Sequence, residues 1–162
     1  MKNTVNEPII EYVTSVNESI YLGIALFGGT KALSIKSSML SDFDLLELTR
    51  RGIPKKAMLN LVNKITITLQ EFAKIMHISE RTFQRFEENA LVKPEYSEKA
   101  LELARLYARG EEVFGSLDKF KQWMKMPSHL FKGQTPFSLL DSSIGFDLVL
   151  KELGRIEHGI FS

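Results

Sequence analysis

Arg81, Gln84 and Arg85 stand close together in ISERTFQRFEE, and each has a side chain able to read a base edge. Arginine can make a bidentate contact to guanine, and glutamine to adenine. Glu80 and Thr82 share the same end of this segment. From Arg50 to Lys93 the chain carries nine basic and four acidic residues, although its net charge is only +1. Within that stretch Arg50, Arg51, Lys55, Lys56, Lys64 and Lys74 have the chemistry for phosphate contacts, which fix register without reading sequence. A second group lies in ELGRIEHGIFS, where Arg155, Glu157 and His158 precede Gly159, Ile160 and Phe161. The two apolar residues there need cover, from their own domain or from a partner.

Other chemistries have little to stand on. The three histidines, His77, His129 and His158, fall in separate segments without metal-ligand spacing, and the chain has no cysteine. No Ser/His/Asp arrangement is visible, and Gly28-Gly29 is too little to cradle a phosphate. We therefore expect no catalytic residues, no metal site, no cofactor and no enzymatic activity. No apolar run approaches the roughly 20 residues that span a bilayer, and Glu7 and Glu11 sit where a secretory signal has a basic end. A soluble, cytoplasmic protein without a membrane partner is the expectation.

These residues need helices to hold them, and helical signals dominate the 162 residues. Residues 1–41 carry weak periodicity and a serine-rich stretch, which reads as an arm or a loosely packed preface. A short helix from about Asp42 should stop at Gly52, and Pro54 fits the first position of the next. Ala57, Met58, Leu61, Val62 and Ile65 then form one apolar face. Thr68 and Glu71 have capping-box spacing, His77-Ile78-Ser79 makes a turn, and Ser79 caps a helix expected over Glu80 to Glu88.

Together these pieces have the anatomy of a helix-turn-helix. Ala73 lets the helices approach, Ile78 seals the turn, and Phe83 and Phe86 anchor the second helix. Arg81, Thr82, Gln84 and Arg85 are then left on the face that such motifs present to the major groove, with Lys74 beside it. A helical hairpin that serves only as core has the same outline. Further on, Ser97 should open a longer helix reaching about Val113, and Leu117 to about Lys125 another, with Trp123 in the core. Gly145 should lie just before a last helix whose face is Phe146, Val149, Leu150, Leu153 and Ile156.

FDLLELTRRGIP, ISERTFQRFEE, SEKALELARLYARGEEVFG, WMKMP, LFKGQTPFSLLDSSIG and LGRIEHGIFS follow one another in order. In these segments, from about Phe43 to Ser162, the chain resembles the Xre/MbcA/ParS-type antitoxins of bacterial type II toxin–antitoxin systems. The likeness is to the Xre antitoxins paired with RES-domain toxins. It implies an all-α fold, with an N-terminal Xre-like helix-turn-helix domain followed by a small helical toxin-binding domain. On that plan residues 1–41 are an arm, 42–95 bind DNA and 96–162 bind toxin. It further implies operator binding with autoregulation, neutralisation of an NAD-degrading RES-domain toxin, and a homodimer. Under the same resemblance Arg155, Glu157, His158, Gly159, Ile160 and Phe161 become toxin-facing, though a tuck under their own domain remains open for the last two. A stand-alone helix-turn-helix regulator is the alternative function.

Overall fold

The computed structural model describes residues 18–37 and 39–159. A first helix, α1, covers residues 18–26. It is followed by α2 (Asp42–Arg51), α3 (Lys55–Ile65), α4 (Leu69–Met76), α5 (Glu80–Gln84), α6 (Pro94–Phe114), α7 (Leu117–Met124) and α8 (Ser143–Glu157). Two 3-10 turns, His129–Phe131 and Phe137–Leu139, connect α7 to α8. Among the described residues the regular structure is helical, apart from one isolated antiparallel bridge between Pro54 and Leu91.

Helix α6 is the axis. At 21 residues it is about 30 Å long, and it packs against α2, α3, α4, α7 and α8. Ala100, Leu103, Ala104, Leu106, Tyr107 and Ala108 are all buried along it, which a helix with partners on several sides requires. The boundary expected after residue 95 falls in its first turn, so the two expected domains share one rod.

Several boundaries move. Pro94 occupies the first turn of α6, and Ser97 is fully buried within it instead of opening it. The Ser97 hydroxyl accepts from the Ile53 N–H at 2.8 Å and donates to the Val92 carbonyl at 2.9 Å. Pro54 precedes α3 as its N-cap. Gly145 lies inside α8, where a Cβ would come within 1.7 Å of the Leu139 carbonyl oxygen; the helix can lie on the preceding turn only because that atom is missing. Trp123 is half-buried, stacked on Phe120 at 5.7 Å and beside Phe114 at 5.4 Å.

The described part of residues 1–41 is no loose preface. Ile20, Ile24, Leu26, Phe27, Leu33 and Leu40 are buried in the same core as α2, α3 and α6. Asn60 donates to the Phe27 carbonyl at 3.0 Å, and the Arg51 guanidinium holds the Leu33 and Ser34 carbonyls.

Candidate functional site

The helix-turn-helix is assembled by local rules. Thr68 accepts from the Glu71 N–H at 3.1 Å while the Glu71 carboxylate accepts from the Thr68 N–H at 2.9 Å, closing the capping box on α4. His77 ends α4 in the left-handed region, at φ 54° and ψ 39°, a conformation histidine tolerates better than most residues. The Ser79 hydroxyl accepts from the Thr82 N–H at 3.0 Å and caps α5. Phe83 is buried edge-on against Phe72, with centroids 5.4 Å apart, and Phe86 packs beside it at 6.4 Å.

Anchoring Phe83 turns the rest of α5 outward. Arg81, Thr82, Gln84 and Arg85 are all exposed. Arg81 and Arg85 form no ion pair among the described residues, so their guanidinium forks are available. Gln84 is partly committed, since its amide donates to Glu80 at 3.2 Å, and the Thr82 hydroxyl lies 2.6 Å from that of Ser79. Lys74, exposed on α4, has its ammonium 3.9 Å from Asp141. Arg81, Thr82 and Gln84 thus lie along α5 and Arg85 just past its end, while Lys74 of α4 lines a shallow hollow with Ile78 and Glu80 beside the start of α5.

That helix is shorter than expected, ending at Gln84 and not at Glu88. The cause lies on α3. The Lys55 ammonium donates to the Gln84 carbonyl at 2.9 Å and the Phe86 carbonyl at 2.7 Å, taking up acceptors that another helical turn would use. The chain after it then satisfies the start of α3, as the Lys55 and Lys56 N–H groups donate to Ala90 and Glu88, each at 3.0 Å. Lys55 is therefore a structural residue, as is Arg51. Lys56 faces Glu88 at 3.6 Å, whereas Arg50 and Lys64 remain exposed.

At the C-terminal end the candidate residues are partly engaged with their own chain. Arg155 pairs with Glu152 at 3.3 Å, and Glu157 reaches across to Arg109 on α6. His158 and Gly159 are exposed, and Gly159 turns at φ 69°. Ile160 and Phe161 lie outside the described residues. Glu157 and His158 border an open cleft of about 890 Å³ between α1, α6 and α8, floored by Ile20, Leu106 and Phe146. Beside it burial raises the Glu112 carboxyl above the ordinary range, with Glu18 and Glu157 adding to the effect.

The two halves are tied by lysines that sequence reading passed over. Lys125, just after α7, sits 2.5 Å from Glu71 of the capping box and 3.7 Å from the Phe137 ring centroid. Lys121 donates to the Thr66 hydroxyl at 3.0 Å. Burial opposes ionisation of Glu71, but hydrogen bonds from Lys125 and Thr68 outweigh it and hold the carboxyl below its ordinary range. Also missed were Ile144 and Leu148, exposed on the outer face of α8. Their signal was that they fall off the apolar period of Phe146, Val149 and Leu153.

Comparison with known families agrees with this geometry. Residues 44–105 match a family described as the Antitoxin Xre-like helix-turn-helix domain. Residues 109–159 match the Antitoxin Xre/MbcA/ParS C-terminal toxin-binding domain. A protein named Antitoxin Xre from Photorhabdus laumondii subsp. laumondii is 29% identical over 117 residues, 71% of this chain and 79% of that protein. Another Antitoxin Xre, from Yersinia enterocolitica, is 37% identical over 71 residues, 43% of this chain and 47% of that protein. Both family segments meet within α6.

Proposed function

Because the chain belongs to the Xre-type antitoxins, we propose that it neutralises a RES-domain, NAD-degrading toxin and binds its own operator. The observation that carries this reading is the adjoining pair of matched domains, 44–105 and 109–159, threaded by one helix. On this reading the chain acts by binding, as a helix-turn-helix domain followed by a toxin-binding domain would.

For DNA, α5 enters the major groove, with Arg81 in its first turn and Arg85 just past its last residue reading guanine, and Gln84 exchanging Glu80 for an adenine edge. Thr82 and Lys74 position the helix on the backbone. For the toxin, the last turn of α8 with Arg155 and Glu157, and after it His158, Gly159, Ile160 and Phe161, meet the toxin's active-site cleft and block NAD entry. The RES assignment is supported by the order of LFKGQTPFSLLDSSIG and LGRIEHGIFS. Neutralisation takes place in the cytoplasm, where the toxin's substrate is.

The reading includes a homodimer. Phe43, 78% exposed, shares the outer face of α2 with Leu46, Glu47 and Arg50. Two such faces laid antiparallel place Phe43 of one copy against Arg50 of the other, an aromatic–cation pair. The test is co-expression of the toxin with the full chain or with a chain ending at His158. Growth restored by the first and not by the second is the expected result; full neutralisation by the shorter chain refutes the role of the tail.

A further inference from the structure

The outer face of α8 carries a stripe that its own fold engages only through the Arg155–Glu152 pair. Ile144, Leu148, Lys151 and Arg155 recur at spacings of four, three and four, which align on one side of a helix. The opposite side, Gly145, Phe146, Val149 and Leu153, is buried. Ile144 is 73% exposed and Leu148 44% exposed, two large aliphatic side chains one turn apart on the same face. Alongside them runs a groove of about 380 Å³ whose lining includes Leu130, Leu139, Leu148, Lys151 and Arg155.

Who covers the stripe can be argued from its charge order. Its first half is apolar and its second half cationic; Lys132 adds to the basic rim, and Glu152, paired with Arg155, offsets one of its three cations. A second copy fits poorly. Laid antiparallel, Ile144 would meet Arg155 and Leu148 would meet Lys151; laid parallel, cation would meet cation. The face of α2 has the opposite property, since its Phe43 and Arg50 complement each other on reversal. The stripe also lies wholly within the segment matched as a toxin-binding domain.

We propose that the toxin docks along this stripe. The partner surface it fits has an apolar side chain that enters the groove beside Leu148 and Leu130. It also has carboxylates displaced by seven helical residues, about 10 Å, toward the C-terminal end of α8. Those carboxylates meet Lys151 and draw Arg155 away from Glu152. The stripe then delivers the chain at Gly159 to the toxin, so that the tail is aimed by α8 and does not search alone. This inference rests on the toxin-neutralising reading and adds to it the surface and the chemistry of the partner.

The experiment uses the full-length chain and a catalytically inactive toxin from the same operon, measured by calorimetry at low and high salt. The double variant I144D/L148D should lose at least tenfold in toxin affinity, while operator binding and oligomeric state are retained. The variant K151E should weaken binding at low salt, and reversing the charge of a toxin carboxylate should recover it. Parent and variants binding the toxin equally would overturn the docking surface and leave the function standing. A parent chain that binds no toxin would overturn both. If I144D/L148D instead abolished self-association and left toxin binding unchanged, the face would belong to a second copy and the proposal would fall.

Discussion

Replacing Lys55 with methionine separates two roles for a basic residue beside α5, the helix proposed to read DNA. A phosphate contact contributes about 0.9 to the slope of log affinity against log salt. A structural role contributes nothing to the slope and acts through stability. The Lys55 ammonium donates to the Gln84 and Phe86 carbonyls and lies 5.7 Å from the Phe83 ring centroid. Hydrogen bonds to a charged group contribute about 1.5–3 kcal/mol each when well sheltered. Lys55 is half-exposed, so solvent screening brings the sum to about 1–2 kcal/mol. For a chain of this size that is a fall of roughly 2–8 °C in melting temperature. The methionine keeps the hydrocarbon stem, which limits the change to the ammonium. Operator binding, followed by fluorescence anisotropy across a salt series, should weaken several-fold as the end of α5 loosens, with the slope unchanged. A slope reduced by about 0.9 with an unaltered melting temperature would refute the structural assignment and return Lys55 to the phosphates.

Three further outcomes follow from the same geometry. The Glu71 carboxyl is held below its ordinary value of 4.5, so its contribution is present above the unfolded value and is lost as pH falls through the lower folded value. Glu71→Gln should therefore lower the melting temperature at neutral pH, with the gap to the parent narrowing as pH falls below about 4.5 and closing only below the lower folded value; a constant gap down to pH 3 would contradict the pairing with Lys125. Arg85→Ala should weaken operator binding by about 1–3 kcal/mol and relax preference at one base position if the contact is to a base, which a competition assay with substituted operators would detect. Phe43→Glu should shift the chain toward monomer in sedimentation equilibrium without loss of helix; an unchanged mass would place the dimer face elsewhere.

The parts of the fold legible in the sequence are those set by short-range chemistry. Thr68, Glu71 and Ser79 cap where their spacing says they should, because a side-chain oxygen and an N–H three residues on need nothing from the rest of the chain. The apolar face of α3 was legible for the same reason, its buried residues repeating with the helical period. The end of α5 was not, because it depends on Lys55, distant in sequence, and on the segment around Glu88 to Val92 pairing with the start of α3. Charge counting could not tell Lys55 and Arg51 from Arg50 and Lys64, since a cation bound to carbonyls and a cation in water have the same composition. Nor could weak periodicity reveal that Phe27 and Leu33 are fully buried, because their partners lie beyond any local window. For the candidate site, exposure of Arg81, Gln84 and Arg85 followed from placing Phe83 inward. The internal pairing of Glu157 with Arg109 could not be read, as α6 and the end of α8 meet only in three dimensions.

The central claim is that this chain relieves the action of an NAD-degrading toxin by binding it. Intracellular NAD, measured after inducing the toxin from its operon with and without this chain, tests that most directly. The account predicts NAD near the uninduced level when the full chain is present, collapse when it is absent, and copurification of the two proteins. NAD that collapses equally in both cultures would contradict it.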